Sequence, residues 1–270
     1  STSDSTATEE TVSTKGLKAG GSVVIYGGTF QIDSADDSIH SNSNVELYGG
    51  NFLLQSGDDG IHGEEQLLVH EGEITVATSY EGLEARRIDI NGGNINVVAS
   101  DDGLNASGGS NSSTGRQDMF AVDPDAYISI AGGHLVIDAG GDGVDSNGAL
   151  FVSGGETYVS GPTNGGNGTL DYTGEGKITG GIFAAAGTAD MAMGFGASST
   201  QGAILVSYST QPAGSPVTLT DAEGQVLFTW ETTKTSGSIV LSCPGIVQGQ
   251  TYTLTLGAHT QEITMTAITY

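Results

Sequence analysis

The sequence predicts an all-β protein: a parallel β-helix of about seven coils, followed by a small C-terminal β-sheet or sandwich-like capping element. Three observations lead to this fold class. An acidic motif recurs about every 22 residues, a glycine landmark recurs with it, and apolar residues near the landmark are spaced by two. A spacing of two is the alternation of a β-strand. Because one such unit cannot bury its apolar face alone, we expect successive units to stack into a solenoid.

The composition limits the class of protein and of ligand. The 270 residues include 44 Gly, 32 acidic and 7 basic side chains, for a net charge of -25. This charge disfavours nucleic acid as a partner, since phosphate binding needs clustered Lys and Arg. No apolar run approaches the roughly 20 residues that a membrane span requires. The lone Cys243 excludes an internal disulfide framework and a cysteine-based zinc site.

Residues 1–14 are predicted to form a disordered linker, because they are polar and show no apolar periodicity. A tail of this composition often follows a cleaved signal or a lipid-anchored Cys. We therefore expect an extracellular protein or one attached to the cell surface, for example as a lipoprotein. We expect it to be a monomer.

Residues 15–198 are predicted to form the β-helix. Within each unit we expect a strand, a Gly turn, a second strand, an acidic turn and a short third strand. The third strand carries an aliphatic residue at Leu17, Ile39, Ile61, Leu83, Leu104, Val144 and Leu170. The Gly turn carries Gly28, Gly50, Gly72, Gly93, Gly133, Gly155 and Gly181. Positions three and five before this Gly, and two and four after it, form apolar columns, with Gly176 and Thr157 as exceptions.

Two insertions interrupt the period. One covers about Ser107–Asp125, and the other holds Gly161–Gly168. Loops that leave a solenoid often mark a binding face, but neutral insertion at an exposed turn explains them equally well.

Residues 199–270 are predicted to form a small C-terminal β-sheet element or sandwich-like domain, because the period ends there while short alternating runs continue. We expect this element to cover the open end of the solenoid, where the last coil would leave backbone groups unpaired. Its strands are expected at Ala203–Tyr208, Val217–Thr220, Val226–Thr229, Ser238–Leu241, Tyr252–Leu256 and Ile263–Ile268.

The acidic motif predicts a cation site. Stacked units bring acids of successive coils to the spacing of neighbouring strands, about 5 Å. Carboxylates that close repel each other or take up protons unless a cation intervenes. Oxygen ligands from Asp and Glu suit calcium. The predicted calcium ligands are Asp36, Asp37, Asp58, Asp59, Glu81, Asp101, Asp102, Asp142 and Asp145.

Two other interpretations of the motif stay open. Asp favours solenoid corners because it bonds to nearby backbone, which explains single acids but explains the doubled Asp-Asp pairs less well. His40 and His62 fall in one column and point weakly to zinc, since no Cys accompanies them.

The repeated Asp-Asp-Gly-Ile/Leu-His/Asn motif and the segments Gly141–Gly148 and Gly161–Tyr172 resemble the calcium-binding, carbohydrate-binding β-helix family of clostridial surface proteins. That family is similar in fold to the family-nine polysaccharide lyases. The resemblance covers about residues 15–270. It implies a right-handed β-helix, bound calcium and binding of plant cell-wall polysaccharide, including acidic sugars.

The predicted function is calcium-dependent binding of plant cell-wall polysaccharide, with acidic pectic sugars as the first candidate ligand and cellulose as a further one. Surface calcium would join the acidic protein to a uronate. Single stacking contacts with a sugar are candidate roles for Tyr80 and for the pair Tyr26 and Tyr48, although packing at a corner also explains them. The candidate glycan-binding residues are His40, His62, Tyr80, Arg86, Arg87 and Arg116.

No catalytic residue is predicted. The alternative function is a calcium-dependent, pectate-type polysaccharide lyase acting by β-elimination, which needs a Lys or Arg base near the calcium. No Lys falls on the doubled-Asp face of the middle coils, which favours binding. A purely structural or adhesive solenoid is a third hypothesis.

Overall fold

The computed structural model describes residues 13–107 and 122–270. These residues form 25 strands and no helix, so none of them lies in a helix long and apolar enough to cross a membrane. Residues 1–12 of the predicted linker, and Arg116 with most of the first inserted loop, lie outside the described residues.

The strands follow the predicted order of the repeat. The solenoid strands are β1 (Leu17–Ala19), β2 (Val23–Ile25), β3 (Thr29–Ser34), β4 (Ile39–Ser41), β5 (Asn44–Leu47), β6 (Asn51–Ser56), β7 (Ile61–Val69), β8 (Glu73–Thr78), β9 (Leu83–Ile90), β10 (Asn94–Ala99), β11 (Leu104–Ala106), β12 (Tyr127–Ile130), β13 (His134–Ala139), β14 (Val144–Ser146), β15 (Ala149–Val152), β16 (Glu156–Ser160), β17 (Leu170–Tyr172), β18 (Gly176–Ile178) and β19 (Ile182–Gly187). The C-terminal strands are β20 (Ala203–Gln211), β21 (Pro216–Asp221), β22 (Val226–Glu231), β23 (Ser236–Ser242), β24 (Thr251–Leu256) and β25 (His259–Thr264).

The solenoid strands pair in parallel from coil to coil, which confirms the predicted fold. One sheet runs β1-β4-β7-β9-β11-β14-β17, with a second arm through β2, β5, β12, β15 and β18. The other sheet runs from β3 through β6, β8, β10, β13 and β16 to β19. Residues one repeat apart are direct partners: Leu17 faces Ile39, and Ile39 faces Ile61.

The glycine landmark is explained by backbone conformation. All seven landmark glycines have positive φ, between 74° at Gly155 and 133° at Gly72. A side chain is strained in this region of φ, so the turn between the two sheets selects Gly in every coil. At Gly50 a Cβ would also lie 3.1 Å from the ring of Phe52.

The apolar columns form one continuous core inside the solenoid. Ile39, Ile61 and Leu83, for example, are completely buried. Packing explains why Gly176 interrupts one apolar column, because a Cβ at this position would overlap the ring of Tyr172. Thr157 is buried, and its hydroxyl has no hydrogen-bond partner among the described residues.

The structure shows how the C-terminal segment joins the solenoid and corrects one predicted strand. Strand β23 pairs antiparallel with β19, and β20 pairs with β23, so these two strands extend the solenoid sheet. The last strand is His259–Thr264 and not Ile263–Ile268, because Gly257 and Ala258 make a tight turn directly after β24.

A second hydrophobic core joins the C-terminal strands β20–β25, which we call the cap, to the solenoid. The remaining C-terminal strands form an antiparallel sheet in the order β22-β21-β24-β25. Along β23, Val240 packs into the solenoid core, whereas Ile239 and Leu241 pack into the second core with residues of this sheet. The arrangement is sandwich-like, and β23 satisfies the backbone edge that β19 would otherwise expose.

Candidate cation and carbohydrate site

The acidic turns stack along one edge of the solenoid, which we call the acidic corner. The stacking is fixed by backbone hydrogen bonds between coils. The amide of Ser38 donates to the carbonyl of Asp59 (3.0 Å), and the amides of Gly60, Gly82 and Gly103 donate in the same way to Glu81, Asp102 and Asp142 (2.9–3.0 Å). Equivalent acids of successive coils are therefore neighbours, as the predicted cation site requires.

The N-terminal half of the acidic corner lines a cleft of about 430 Å³. The amino group of Lys15 is 2.8 Å from Asp36 and also contacts Asp37. His40 Nδ1 lies 2.7 Å from the buried carboxylate of Asp37. The cleft is lined by Lys15, Asp37, His40, Asp58, Asp59, His62, Glu64, Tyr80, Glu81 and Glu84.

His62 is the centre of charge compensation in this half. Its Nδ1 lies 3.1 Å from Asp59 and 3.0 Å from Glu84. Burial alone would lower the pKa of His62, but hydrogen bonds to Asp59 and Glu84 outweigh it and raise the pKa to about 10. The imidazolium in turn holds the pKa of Glu84 below its usual value, although burial acts in the opposite direction. Side-chain cations therefore already neutralise part of this cluster.

The C-terminal half of the acidic corner contains a different cluster, the aspartate trio of Asp102, Asp142 and Asp145. One carboxylate oxygen from each of the three lies within 4.8 Å of the others. Asp102 Oδ1 accepts a hydrogen bond from the amide of Asp142 (2.6 Å), and Asp142 Oδ1 accepts one from the amide of Gly168. These backbone donors orient the two carboxylates while leaving the second oxygen of each side chain available.

The aspartate trio has no cationic partner among the described residues. Burial, together with repulsion from neighbouring carboxylates, raises the pKa of Asp102 to about 7, although the hydrogen bond from the amide of Asp142 acts in the opposite direction. Burial also raises the pKa of Asp142 to about 6 and that of Asp145 to about 8. Three half-buried carboxylates that lack a counter-charge favour either protons or a metal cation.

Glycine at position 141 makes room for the trio. A Cβ there would lie 2.5 Å from Asp102 Oδ1 and closer still to Asp101 Oδ1. The repeat places an acid at this position in other coils, such as Asp58. The absence of a side chain at Gly141 lets the carboxylates of the preceding coil occupy this space.

Within residues 13–107 and 122–270, four side-chain groups have the geometry to hold a metal ion. Two contain His: Asp37 with His40 and His62, and Asp59 with His62 and Glu84. The group of Asp36, Asp37 and Asp58 is all oxygen, but Lys15 occupies it. The aspartate trio is all oxygen with no bound side-chain cation, so its donor set fits calcium best.

The predicted ligands Glu81 and Asp101 lie between these groups on the same corner. The side-chain amide of Asn105 donates a hydrogen bond to the carboxylate of Glu81 at 2.7 Å. Burial raises the pKa of Glu81 to about 8. Tyr80 lines the cleft and is half-exposed, and hydrogen bonding to Asp101 raises the pKa of its hydroxyl to about 12.

The two predicted arginines that the structure describes, Arg86 and Arg87, lie away from the cleft. Arg86 makes a bidentate ion pair with Asp123 (2.7 and 2.9 Å) and a further contact with Asp125 (3.1 Å), which holds the end of the first inserted loop on β9. Arg87 is 3.8 Å from Glu65. Neither side chain lines the cleft of the acidic corner.

Four residues of the corner and its cleft were not among the predicted site residues, and one of them, Glu64, lines the cleft from β7. Glu84 shares a ladder column with His40 and His62, and Asp171 is the direct partner of Asp145, so the repeat register contained both signals. Lys15 shares the column of Asp37, and that register alone does not show that its amino group contacts two carboxylates.

Comparison with protein-family models matches residues 1–60 and 57–243 to carbohydrate-binding domain-containing proteins. Searches of curated proteins and of solved structures give no significant match. The family match covers more than half of the chain and includes the complete acidic corner. The chain therefore belongs to the family of carbohydrate-binding domain-containing proteins.

Proposed function

We propose that this chain is a calcium-dependent carbohydrate-binding protein that recognises acidic, pectic polysaccharide of the plant cell wall. Family membership supplies carbohydrate binding. The aspartate trio carries the calcium part of the proposal, because its three carboxylates are oriented, half-buried and without a side-chain cation among the described residues. We further propose that the protein acts outside the cell or on its surface.

Asp102, Asp142 and Asp145 would hold the ion, and Asp101 and Asp171 add negative charge around it. Calcium would supply charge neutralisation and open coordination positions for ligand oxygens. The chain itself keeps the carboxylates in place through the amides of Asp142 and Gly168.

An acidic glycan fits this arrangement only with a bridging cation. The protein has a net charge of -25, which repels a polyuronate at long range. Bound calcium reverses the local sign and joins protein carboxylates to those of the sugar. Beside the trio, the cleft around Tyr80, His40 and His62 offers aromatic and hydrogen-bonding surface for the glycan chain.

The test is binding to polygalacturonate and to pectin, measured with excess calcium and with chelator. We expect binding only with calcium, and a loss of at least tenfold in affinity for Asp102→Asn. The matched control is Asp33→Asn, which removes one negative charge from an exposed position on β3. Binding of the wild-type chain that persists in chelator, or an equal loss in both variants, would contradict the bridging mechanism.

The lyase alternative is decided in the same experiment by ultraviolet absorbance of an unsaturated uronate product. Of the described residues that line the cleft, Lys15 is the only Lys or Arg. Burial acts to lower the pKa of Lys15, but hydrogen bonds to Asp36 and Asp37 raise it overall, so its amino group is a poor proton acceptor. The geometry therefore favours binding over elimination.

A further inference from the structure

The cleft of the acidic corner contains a cluster in which carboxylates from three successive coils converge on imidazole rings. We call it the His62 centre, and its members are Asp37, His40, Asp59, His62 and Glu84. His40, His62 and Glu84 are direct partners in the register of β4, β7 and β9. Asp37 and Asp59 precede the two histidines by three residues each and belong to the same coils. The side chains of the cluster therefore connect three coils.

The donor atoms of the His62 centre lie at separations that suit one small ion. His62 Nδ1 is 3.0 Å from Glu84 Oε2 and 3.1 Å from Asp59 Oδ2. The same nitrogen is 3.8 Å from Asp37 Oδ2. Metal–ligand bonds of about 2.0–2.1 Å at tetrahedral angles place neighbouring ligand atoms about 3.4 Å apart. One nitrogen and three oxygens could therefore coordinate the same ion after small side-chain shifts.

His40 brings a second nitrogen to the His62 centre. Its Nδ1 lies 2.7 Å from Asp37 Oδ2. One donor atom from each of Asp37, His40 and His62 lies within 4.8 Å of the other two. The two imidazoles have ring centroids 4.9 Å apart and planes inclined by 65°, so they are not stacked flat on each other. The rings instead meet around the carboxylate of Asp37.

The ligand atoms are held in place and largely removed from solvent. Asp37 Oδ1 accepts a hydrogen bond from the amide of Asp59 (3.3 Å), which leaves Oδ2 facing the rings. Ser107 Oγ donates to Glu84 Oε1 (3.0 Å), which leaves Oε2 facing His62. The side chain of Asp37 is 1% exposed and that of His62 is 15% exposed. A ligand set that is already ordered loses little conformational entropy when it binds an ion.

An unpartnered oxygen lies beside the His62 centre. Asn105 is the direct partner of Glu84 in the next coil, and it is 8% exposed. Its Nδ2 donates to Glu81 Oε2, whereas its Oδ1 has no hydrogen-bond partner among the described residues. A buried carbonyl oxygen without a partner is costly. This oxygen points, independently of the carboxylates, to a bound group that the side chains do not supply.

The nitrogen donors determine the class of ion. Calcium takes oxygen ligands, whereas imidazole together with carboxylate suits zinc and neighbouring transition metals. The column of His40 and His62 is by itself a weak zinc signal, because no Cys accompanies it. The structure supplies the missing ligands as Asp37, Asp59 and Glu84, and carboxylates complete zinc sites as Cys does.

Asn105 also separates the His62 centre from the aspartate trio. It is the neutral residue between Glu84 and Asp145 in one column. The trio shares no residue with the His62 centre, and its donors are all oxygen. The two clusters therefore differ in the ion that each prefers.

We propose that the His62 centre binds a divalent transition metal of the zinc class, and that this ion cross-links three coils of the solenoid. A metal needs the neutral imidazole, so binding releases the proton of His62 Nδ1 to solvent. The inference does not rest on the calcium proposal or on glycan binding. Zinc would stabilise this end of the solenoid whether or not the trio holds calcium.

The test is titration of the full chain with Zn²⁺ in excess calcium, by calorimetry, with Co²⁺ as a spectroscopic substitute. We expect a single zinc ion per chain, and a Co²⁺ complex with the strong visible absorption of a low-coordinate site that contains nitrogen. His62→Asn and Glu84→Gln should each lower zinc affinity at least tenfold. Asn is chosen because its amide keeps a hydrogen-bond donor close to the position of Nδ1.

The matched control is His134→Asn. His134 Nδ1 lies 3.4 Å from Glu156 and its side chain is about half-exposed, so this variant removes an imidazole beside a carboxylate outside the cleft. Zinc affinity should stay within twofold. Thermal unfolding shows whether each variant is folded. If His62→Asn is not, nuclear magnetic resonance of the wild-type chain decides: zinc should shift the ring signals of His40 and His62 and not those of His134 and His259.

Four results would overturn the proposal. Excess calcium could abolish zinc binding, or Co²⁺ could show only the weak absorption of a six-coordinate oxygen site. His62→Asn could bind zinc as tightly as the wild-type chain, or the ring signals of His40 and His62 could stay unchanged. Loss of zinc binding in Asp145→Asn, with binding retained in His62→Asn, would place the ion in the aspartate trio instead.

Discussion

Replacing Asp145 by Asn should make the protein more stable in chelator and less responsive to calcium. Asp145 is a half-buried carboxylate that accepts no hydrogen bond from a described residue, and Asp102 and Asp142 are close to it. Without a cation, its negative charge opposes folding. In the proposed calcium site, the same charge would be a ligand. One substitution should therefore have opposite effects under the two conditions.

The size of the effect follows from the pKa of Asp145. Burial, together with the charges of Asp102 and Asp142, raises this pKa from 3.8 to about 8. At 1.36 kcal/mol per pKa unit, a shift of about 4 units corresponds to roughly 5 kcal/mol. This is an upper value, because the neighbouring acids contribute to the shift and relax when one charge is removed. We expect about 2–3 kcal/mol, or a rise in Tm of about 5–10 °C for a chain of this size.

The size of this destabilisation by Asp145 depends on pH. A carboxyl whose pKa is raised on folding binds its proton more tightly in the folded state, so its unfavourable contribution is absent below the unfolded pKa. The cost grows as the pH rises from 3.8 and is complete above about 8. The advantage of Asp145→Asn in chelator should therefore be largest at pH 8 and above and should shrink toward pH 5.

The assay is thermal unfolding by circular dichroism, with chelator and with calcium, near pH 8 and near pH 5. If calcium binds as proposed, calcium at 100 times its Kd should stabilise the wild-type chain by about 2.7 kcal/mol, and Asp145→Asn should lose most of this gain. Asp33→Asn provides the control for removal of one charge. The reasoning is refuted if Asp145→Asn lowers Tm in chelator at pH 8, or if calcium stabilises both variants equally.

Three further predictions concern the same corner and the glycine turn. Gly141→Ala should lower calcium affinity at least tenfold by calorimetry, because a Cβ would displace the carboxylates of Asp101 and Asp102; unchanged affinity would contradict this packing. Wild-type calcium affinity should fall at least tenfold from pH 8 to pH 5.5, because the pKa values of the trio are raised to about 6–8 and protons compete for its oxygens; a flat profile would oppose the trio as the site. Gly50→Ala should lower the free energy of unfolding by about 1–3 kcal/mol in denaturant titration, because its φ is 119°, whereas Gly20→Ala, with open space around the Cβ, should change it little.

Much of the solenoid follows from the sequence because its interactions are periodic. In a parallel, in-register stack, the neighbour of each residue is the equivalent residue of the next coil. The partners of Ile61, for example, are Ile39 and Leu83, at separations of 22 residues in the chain. The landmark glycines are also predictable from the sequence, because a turn that requires positive φ selects Gly at the same position of every repeat.

The C-terminal cap was less predictable because its pairings are not periodic. Alternation identifies β20 and β23 as strands, but it does not show that they continue the sheet beyond β19. That choice depends on the edge which the last coil exposes and on the second core beneath it. The predicted strand Ile263–Ile268 begins four residues after the start of β25, because alternation favours the apolar residues from Ile263 onward, whereas β25 begins directly after the turn at Gly257.

The sequence by itself determined that acids recur at one corner of a parallel β-helix, because the register of the repeat brings equivalent residues together. Only the tertiary structure decided which of those acids lack a counter-charge. Lys15 and His62 compensate the N-terminal acids, whereas Asp102, Asp142 and Asp145 have no such partner among the described residues. The physical reason is that the register places side chains in columns, but the direction and burial of each side chain determine which charges meet.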